Sequence, residues 1–336
     1  MQTKTFRIGA SSVAYHFDAT FSSLASIVEK KNSVLVTDEN VFGHHGKRFK
    51  GWNTIVLKPG EEFKVQATVD AVIDQLIEMG ADRQTTLVGV GGGVVTDLTG
   101  YIASIYMRGV PCGFVPTTLL ALVDASIGGK NGIDVGVYKN MAGTIRQPQF
   151  ILHDMGFLAT LPDAEWRSGF AEIIKHAAIR DAPMFRQLEA SDLDLFKKKK
   201  KETAALVMRN ALLKTKVVQA DERETGDRKL LNFGHTLGHA LENQYELSHG
   251  EAISIGMGFA AGLSAVLAGF RQAERLTALL ESYGLPVAAE YDADKVLDVL
   301  QKDKKKQQDS IRFILLERLG KAVIQSIPIN QLAKFL

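Results

Sequence analysis

Three of the eight histidines in this chain lie close together in the stretch FGHTLGHALENQYELSHGE. His235 and His239 are one helical turn apart, so a helix would place both imidazoles on one face. With a carboxylate from elsewhere in the chain, two imidazoles can hold a divalent metal and leave one coordination position open for a substrate. Spacing alone makes His235 and His239 the natural ligand pair, with His249 set apart in a turn-like SHG. The stretch is not a metalloprotease motif, because Thr236 stands where HExxH has its catalytic glutamate.

Two glycine-rich stretches could approach an anionic ligand. In VGVGGGVVTDLTG, glycines 91–93 separate a β-branched run from a helical pattern, and a helix N-terminus attracts phosphate. The Rossmann fingerprint is not met, since Val94 takes the place of the third glycine, so a tight packing turn and a dinucleotide site stay equally open. ASIGGKNG resembles a phosphate loop, but Asp124 and Asn131 break the Walker A pattern and argue against a nucleoside triphosphatase.

Cationic residues flank the second of these stretches along the sequence. Arg108 precedes it in MRG, Lys130 follows its glycines, and YKN adds Lys139 and Asn140. Such groups suit a phosphorylated substrate, although ordinary surface charge explains them equally well on this observation alone.

The elements that must position these residues divide the chain into two halves. With 336 residues, two domains are expected. In the first half, the β-branched runs SVLVTD, NTIVLK, TTLVGV and CGFVP alternate with helical patterns such as VQATVDAVIDQLIEMG, which predicts a parallel sheet. From about Leu161 the pattern is mainly helical, and GFAEIIKHAAI places Glu172 and Lys175 on one helix face, as a simple ion pair or a functional one. The fold class is therefore α/β, with a doubly wound domain over residues 1–155 and a mainly α-helical domain over residues 156–336.

Composition narrows the classes of partner and compartment. The formal net charge is +2, with 40 basic and 38 acidic residues, so no bulk attraction to nucleic acid or membrane is expected. A single cysteine, Cys112, and an N-terminus without an apolar secretory segment indicate a reducing, cytoplasmic location. The most apolar segment, residues 252–270, is rich in glycine and alanine and is predicted to be a buried core helix.

Taken together, the motifs resemble the 3-dehydroquinate synthase family of sugar phosphate cyclases. Seven segments occur in the family's order: GGGVVTDLTGYIASIYMRGVP, VPTTLLALVDASIGGK, GVYKNMAGTIRQP, GFAEIIKH, ADERETGDRKLLNFGHTLGHALE, HGEAISIGM and DKK. The resemblance covers roughly residues 34–320, and more distantly the chain is similar to metal-dependent polyol dehydrogenases of the same two-domain fold.

The resemblance implies a homodimer that binds NAD and a divalent metal, Zn2+ or alternatively Co2+. It assigns the metal to Glu172, His235 and His249, which moves His239 to the substrate side. The cofactor residues that it implies are Asp38, Glu61, Lys64, Gly92, Gly93, Asp97, Thr117, Thr118, Phe157, Thr160, Leu161 and Glu165. The catalytic residues that it implies are Lys175, His239, Asp124, Lys130 and Lys139, and the substrate-binding residues are Arg108, Asn140, Lys214, Arg228, Asn232 and Lys304. Arg108 is expected at the dimer interface.

The reaction implied is conversion of 3-deoxy-arabino-heptulosonate 7-phosphate to 3-dehydroquinate and phosphate, in the shikimate pathway to aromatic amino acids. It passes through transient oxidation by NAD, phosphate elimination, re-reduction and intramolecular aldol closure. Thr96, Asn131, Asp134 and Tyr138 depart from the usual family residues, which keeps another sugar phosphate cyclase open as an alternative. A polyol dehydrogenase with net NADH turnover and a non-catalytic phosphate-binding protein are the remaining alternatives.

Overall fold

A seven-stranded sheet organises the first half of the chain in the computed structural model, which describes residues 1–136, 138–242, 244–302, 306–307 and 310–336. Its strand order is β1-β2-β9-β6-β5-β3-β4, and all neighbours are parallel except β1 and β2. The strands of this sheet are β1 Gln2–Ile8, β2 Ser11–Phe17, β3 Ser33–Asp38, β4 Asn53–Leu57, β5 Thr86–Gly91, β6 Cys112–Pro116 and β9 Phe150–Leu152. The four predicted strands are β3 to β6, and the predicted parallel sheet is confirmed.

Both faces of this sheet are buried, which explains the continuous apolar runs of its strands. In β3, Val34 and Val36 enter one core cluster, while Leu35 enters the cluster on the opposite face. This alternation follows from the two-residue period of a strand. Helices and short segments cover both faces, so the predicted doubly wound α/β class is confirmed.

Helices make up most of the remaining chain. They are α1 Glu39–His45, α2 Gln66–Glu78, α3 Gly93–Ile105, α4 Asp163–Arg180, α5 Ala182–Glu189, α6 Leu193–Lys198, α7 Lys200–Ala220, α8 His235–Glu242, α9 His249–Leu267, α10 Ala273–Ser282, α11 Ala293–Lys302 and α12 Ile329–Leu332. Two further sheets complete the description: the hairpin β7 Lys130–Val135 with β8 Tyr138–Ile145, and β10 Lys306–Gln307, β11 Ser310–Arg318 and β12 Lys321–Pro328.

The chain packs as two units that interleave along the sequence. The first contains residues 1–166 and 200–223, and the second contains residues 167–199 and 224–336. Helix α7 belongs to the first unit because its apolar face, with Ala211 and Val218, packs in a core with Ile8 and Tyr15 of the β1–β2 hairpin. The predicted division after residue 155 stays a prediction.

The second unit is built around α9. This helix is long and apolar enough to cross a membrane by length and composition, yet most of it is buried against other elements. Its residues Ile255 and Leu263 share a core with Phe313 and Leu315 of β11 and with Leu237 of α8. The prediction that this apolar segment is a core helix is thus confirmed.

Candidate metal centre and cofactor site

Helices α8 and α9 carry the three clustered histidines and pack with their backbones almost in contact. A Cβ atom on Gly256 of α9 would lie 1.9 Å from the carbonyl oxygen of Gly234, just before α8, so only glycine permits this approach. His235 is the first residue of α8 and His249 is the first residue of α9. The close packing sets their ring centroids 5.7 Å apart.

The SHG segment, turn-like in the sequence, is the N-terminus of α9. Ser248 is the N-cap residue, and its hydroxyl accepts a hydrogen bond from the backbone N–H of Glu251. The Glu251 carboxylate accepts the Ser248 N–H in return, at 2.9 Å, which completes a capping box. The cap fixes the direction in which α9 begins and therefore the position of His249.

Glu172, His235 and His249 converge within the second unit. Oε1 of Glu172 lies 3.5 Å from Nε2 of His235 and 3.3 Å from Nε2 of His249. Three ligand atoms placed about 2.1 Å from a tetrahedral zinc ion lie roughly 3.4 Å apart, so these separations fit a single metal ion. Glu172 is fully buried, which limits competition from water for its carboxylate.

The two imidazoles of this group have opposite protonation tendencies. Burial, reinforced by the nearby Lys175, holds the pKa of His235 well below its usual value. Its Nδ1 lies 3.2 Å from the carbonyl oxygen of Phe233, so a neutral ring protonated there turns the Nε2 lone pair toward Glu172. Burial also lowers the pKa of His249, but hydrogen bonds to Glu172 and Glu242 outweigh it and raise that pKa to about 9. A metal ion would therefore displace a proton from His249 on binding.

His239 lies beside this group and not within it. It is one turn after His235 on α8, and the two ring centroids are 5.1 Å apart with the rings nearly perpendicular. Among the described residues, its ring nitrogens are not part of the cluster that Glu172 forms with His235 and His249. Helical spacing alone pairs His235 with His239, but in the structure His235 groups with His249 and Glu172. The second grouping is the one that the family resemblance implies.

A buried ion pair adjoins the three convergent side chains. Lys175 and Glu172 are three residues apart on α4, and the Lys175 ammonium contacts Oε2 of Glu172. Both side chains are almost fully buried, at 1% and 0% exposure. Neighbouring His176 is also buried. Lys175 balances the Glu172 charge from one side, while the two histidines approach from the other.

Glu242 is a contributor that the sequence reasoning did not identify. It lies at the end of α8, seven residues after His235 and three after His239, and therefore on the same helix face. Its Oε2 is 3.6 Å from Nδ1 of His249, on the side of the ring opposite to Glu172. A carboxylate in this place orients an imidazole whose other nitrogen binds a metal.

We expect the substitution Glu242→Gln to weaken metal binding without abolishing it. Loss of such an outer partner typically lowers metal affinity by about 10–100-fold, because the ring becomes less basic and less well oriented. Competition with a chromophoric zinc chelator would measure the change. Glu246→Gln, which replaces an exposed glutamate beyond the end of α8, is the matched control and should bind metal like the parent protein. Equal affinities in the two variants would contradict the assignment.

The remaining predicted residues of the second unit lie in and around one short helical segment, Asp227–Asn232. Arg228 is buried, and Asn232 donates its amide hydrogen to the Glu224 carboxylate. Arg180 of α4 bonds Asp227 at 2.6 Å and anchors the start of the segment. Lys304 lies outside the described residues.

In the first unit, the predicted cofactor residues gather at the carboxyl edge of the parallel strands. The strand order reverses between β3 and β5, because the chain passes from β3 to β4 on one side and then to β5 on the other. Asp38 ends β3, while Gly92 and Gly93 follow β5 directly. Ligands of doubly wound sheets bind in the crevice that such a reversal creates.

The glycine turn after β5 leaves room for an anion at the start of α3. Gly92 is the N-cap residue, its absent side chain makes no cap, and the first turn of α3 contains no acidic residue. A Cβ on Gly92 would lie 3.0 Å from Cγ2 of Thr118, so a side chain would crowd this space. The hydroxyl of Thr117 is buried without a hydrogen-bond partner in the described part of the chain. A helix N-terminus beside an unsatisfied hydroxyl suits the pyrophosphate of a dinucleotide.

Lys64 connects several predicted residues of the first unit. Its ammonium lies 2.7 Å from Oδ2 of Asp97 and 3.5 Å from Oε1 of Glu61, and it donates to Oδ1 of Asn140 at 2.7 Å. Burial would lower the pKa of Lys64, but Asp97 and Glu61 outweigh it and raise the pKa above its usual value. The side chain therefore stays charged inside the protein.

Lys214 of α7 is held by a distorted turn after β6. Its ammonium donates to the backbone oxygen of Asp124 at 2.8 Å and lies 2.9 Å from the Asp124 carboxylate. Asp124 lies in a π-helical turn, Ala121–Ala125, a wide helical turn that is frequent at functional sites. Lys214 is 7% exposed, so its ammonium is largely shielded from water.

The other predicted residues of the first unit differ in their surroundings. The Phe157 ring lies under the Arg48 guanidinium at 4.1 Å, and the Thr160 hydroxyl contacts Nε2 of His45 at 2.7 Å. Leu161 is partly buried and Glu165 exposed; Arg108 has a left-handed backbone, with φ of 67°, and Lys130 begins β7.

Two of the unusual sequence positions have structural explanations. The Asn131 amide donates to the backbone oxygens of Gly129 and Arg146, at 2.8 and 3.0 Å, and is buried against Gly100 of α3. The Thr96 hydroxyl bonds the Gly93 carbonyl oxygen at 3.0 Å and is 1% exposed. These two residues therefore support the backbone, whereas Asp134 and Tyr138 belong to the β7–β8 hairpin.

Sequence-family models match most of the chain. The model described as 3-dehydroquinate synthase N-terminal matches residues 54–168. The model described as 3-dehydroquinate synthase C-terminal matches residues 169–306. The two matches are adjacent and together extend from β4 to β10.

Solved structures of similar fold include cyclases and dehydrogenases. One is ValA, a 2-epi-5-epi-valiolone synthase from Streptomyces hygroscopicus subsp. jinggangensis 5008 with NAD+ and Zn2+ bound. Its sequence is 27% identical to this chain, and the TM-score is 0.87. The alignment covers 100% of this chain and 98% of that chain. A 2-deoxy-scyllo-inosose synthase with carbaglucose-6-phosphate, NAD+ and Co2+ is 23% identical, with 99% of each chain covered and the same TM-score of 0.87. A probable glycerol dehydrogenase from Sinorhizobium meliloti 1021 is 14% identical, covers 99% of this chain and 97% of its own, and has a TM-score of 0.68.

Proposed function

The chain belongs to the 3-dehydroquinate synthase family of sugar phosphate cyclases, and from that premise we propose that it is a 3-dehydroquinate synthase. The proposed reaction converts 3-deoxy-arabino-heptulosonate 7-phosphate to 3-dehydroquinate and inorganic phosphate. The overall conversion involves no net oxidation, so the proposed enzyme is a carbon–oxygen lyase.

The observation that carries the choice among cyclases is the burial of two cations outside the β7–β8 hairpin. Lys214 in the first unit and Arg228 in the second are 7% and 3% exposed. Lysine and arginine side chains are rarely buried to this extent, and the family resemblance assigns both residues to substrate binding. The proposed substrate has a carboxylate as well as a phosphate. Carbaglucose-6-phosphate, bound in the similar inosose synthase structure, has a phosphate and no carboxylate.

The chain also offers donors suited to both cofactors. Glu172, His235 and His249 supply two imidazole nitrogens and one carboxylate oxygen at separations that fit Zn2+ or Co2+. The reversal of strand order beside Asp38 and the open N-terminus of α3 suit NAD. When bound, NAD would supply reversible hydride transfer, and the metal would supply Lewis acidity toward the oxygen being oxidised.

The side chains of the protein then bind, orient and protect the substrate. Lys130, Lys139 and Asn140 bind the phosphate before it leaves, and Lys214 orients the carboxylate while Asp124 holds the ammonium in place. Lys175 contacts the Glu172 carboxylate and offsets its charge, and His239 contacts the substrate beside the metal.

Another sugar phosphate cyclase is the second candidate, and residues of the β7–β8 hairpin favour it. Asp134 and Tyr138 depart from the usual family residues beside Lys139 and Asn140, and the Tyr138 side chain is 55% exposed. Asn131 no longer supports this alternative, because its amide is engaged with the backbone of its own loop.

We further propose that the protein functions as a cytoplasmic homodimer in the shikimate pathway, which leads to chorismate and the aromatic amino acids. The hairpin exposes Val135, Tyr138, Met141 and Ile145 to between 43% and 55%. An exposed apolar group of this kind on one element suits contact with a second copy. Arg108 is assigned to that interface on the family resemblance alone.

The proposed reaction can be tested with purified protein, a catalytic amount of NAD, Zn2+ and the heptulosonate phosphate. We expect phosphate release in equal amount to 3-dehydroquinate and no accumulation of NADH. We also expect Lys214→Met to raise the KM for this substrate by roughly tenfold or more, since a hydrogen bond to a charged group contributes about 1.5–3 kcal/mol. Lys216→Met, which replaces an exposed lysine on the same helix, is the matched control.

Three results would contradict the proposal in different ways. Turnover of a sugar phosphate that lacks the carboxylate, with none of the heptulosonate, would identify another cyclase. NADH accumulation on a simple polyol would identify a dehydrogenase. Binding of NAD and metal without turnover of any of these compounds would indicate a protein that does not catalyse this class of reaction.

A further inference from the structure

The β7–β8 hairpin contains a bulge at the predicted substrate residues. Ile133 pairs with Ala142 and Val135 pairs with Tyr138, so the single residue Asp134 lies opposite residues 139–141 of β8. The bulge therefore contains Lys139 and Asn140. Bulges of this kind re-aim side chains next to functional sites.

A hydrogen bond from Asp134 holds the bulge in an uncommon backbone conformation. Asn140 has φ of 52°, in the left-handed region that few residues other than glycine adopt. Oδ1 of Asp134 accepts the backbone N–H of Asn140 at 2.6 Å. The carboxylate thus gives a partner to an N–H group that the strand ladder bypasses.

The same bulge is attached to the segment after β4. The backbone N–H of Asp134 donates to the Lys64 carbonyl oxygen at 2.8 Å, while the Lys64 ammonium donates to Oδ1 of Asn140 at 2.7 Å. Lys64, Asp134 and Asn140 therefore form a closed triangle of three hydrogen bonds. With its oxygen facing Lys64, the Asn140 amide turns its NH2 group away from Lys64, and that group can donate to an anion.

Lys64 also contacts residues at the carboxyl edge of the parallel strands, where the predicted cofactor residues lie. Its ammonium contacts Asp97 of α3 and Glu61, both at the edge where the strand order reverses. A dinucleotide that binds there and orders these groups would order one corner of the triangle. A second corner, Asn140, lies on the bulge that contains the predicted phosphate-binding residues.

We propose that the Lys64–Asp134–Asn140 triangle couples cofactor binding to binding of the substrate phosphate, with Asp134 as the positioning residue. This inference rests on the proposed function for the identity of the two ligands. Ordering of the triangle by one ligand lowers the entropic cost of binding the other, so each ligand increases the affinity for its partner. Thermodynamic linkage requires the two increases to be equal.

The coupling can be measured with NAD and inorganic phosphate in the full chain. We expect saturating phosphate to lower the Kd for NAD by about fivefold or more in the parent protein, at the lower end of usual coupling factors. In Asp134→Ala the factor should fall below roughly twofold, because the Asn140 N–H loses its acceptor. In Asp134→Asn the factor should persist, because the amide oxygen can accept the same hydrogen bond. Asp70→Ala, on the exposed face of α2, is the matched control and should behave like the parent protein.

A second variant, Asn140→Gly, tests the coupling independently of the stability of Asp134→Ala. Asn140→Gly tolerates the positive φ and keeps the N–H bond to Asp134, but it removes the oxygen that Lys64 contacts. It should also lose the coupling, even if Asp134→Ala proves too unstable to measure. Absence of coupling in the parent protein, or full coupling in a folded Asp134→Ala or Asn140→Gly variant, would overturn the inference. If the heptulosonate assay fails while the phosphate-linked change in NAD affinity is observed, the proposed reaction is wrong and the coupling stands.

Discussion

Replacement of His249 by alanine is expected to release the metal, whereas replacement of His239 is expected to leave the metal bound and abolish turnover. His249 supplies one of the three ligand atoms that converge with Glu172, while His239 lies beside them. Loss of a direct ligand should lower metal affinity by more than the roughly 100-fold that loss of an outer partner can cost. Elemental analysis after dialysis against a weak chelator would measure retained metal, and the phosphate-release assay would measure turnover.

The histidine comparison has an internal control. His44→Ala replaces an exposed histidine on α1, in the first unit, and should retain both metal and activity. Equal metal loss in His239→Ala and His249→Ala would overturn the assignment of His239 to the substrate side, and metal loss in His239→Ala alone would make helical spacing the correct guide to the ligands. If neither variant loses metal, the three convergent side chains are not the metal site.

The substitution Lys175→Met is expected to destabilise the metal-free protein strongly and the metal-loaded protein less. Removing Lys175 leaves the Glu172 carboxylate buried without its nearest cation, and breaking a buried ion pair typically costs about 3–5 kcal/mol. A bound divalent ion would take over part of this neutralisation. The thermal unfolding midpoint without metal should therefore fall by roughly 4–7 °C for a chain of 336 residues, and added Zn2+ should recover part of the loss.

The double variant distinguishes charge from packing. If the uncompensated Glu172 charge causes the loss, Lys175→Met combined with Glu172→Gln should be more stable than Lys175→Met alone without metal, and Zn2+ should no longer stabilise it. Lys198→Met, which disrupts an exposed pair with Asp194 on α6, should change the midpoint little because solvent screens that pair. Equal losses in Lys175→Met with and without bound Zn2+ would contradict the account.

Local sequence patterns were sufficient where the structure depends on local periodicity. Strand β3 was predicted within its observed bounds, and α2 within three residues at each end, because alternation and the 3.6-residue period act over a few neighbours. The hairpins β1–β2, β7–β8 and β11–β12 were not predicted. Their strands mix polar and small residues with apolar ones, and their stability comes from pairing and packing against other elements.

Local sequence patterns also do not suffice to predict the grouping of residues in the candidate site. Residue types and family motifs identified Glu172, His235 and His249, yet the helical spacing by itself favoured His239. The deciding contact is the approach of α8 to α9 through Gly234 and Gly256, which lies between residues distant in sequence. The contact of Glu242 with His249 is not predictable from the sequence for a related reason: Glu242 lies on the His239 face of α8, but its nearness to His249 depends on the packing of α8 against α9.

The sequence by itself determined the α/β class of the first domain, the helical positions of Glu172, Lys175, His235 and His239, and the family to which the chain belongs. These properties follow from periodicity and from motifs whose order the chain preserves. Tertiary structure alone decided that α7 packs with the first unit, that His249 faces Glu172, and that Asp134 joins Lys64 to the bulge at Asn140. The physical reason is that each depends on contacts between distant residues, whose geometry is set by the packing of whole elements.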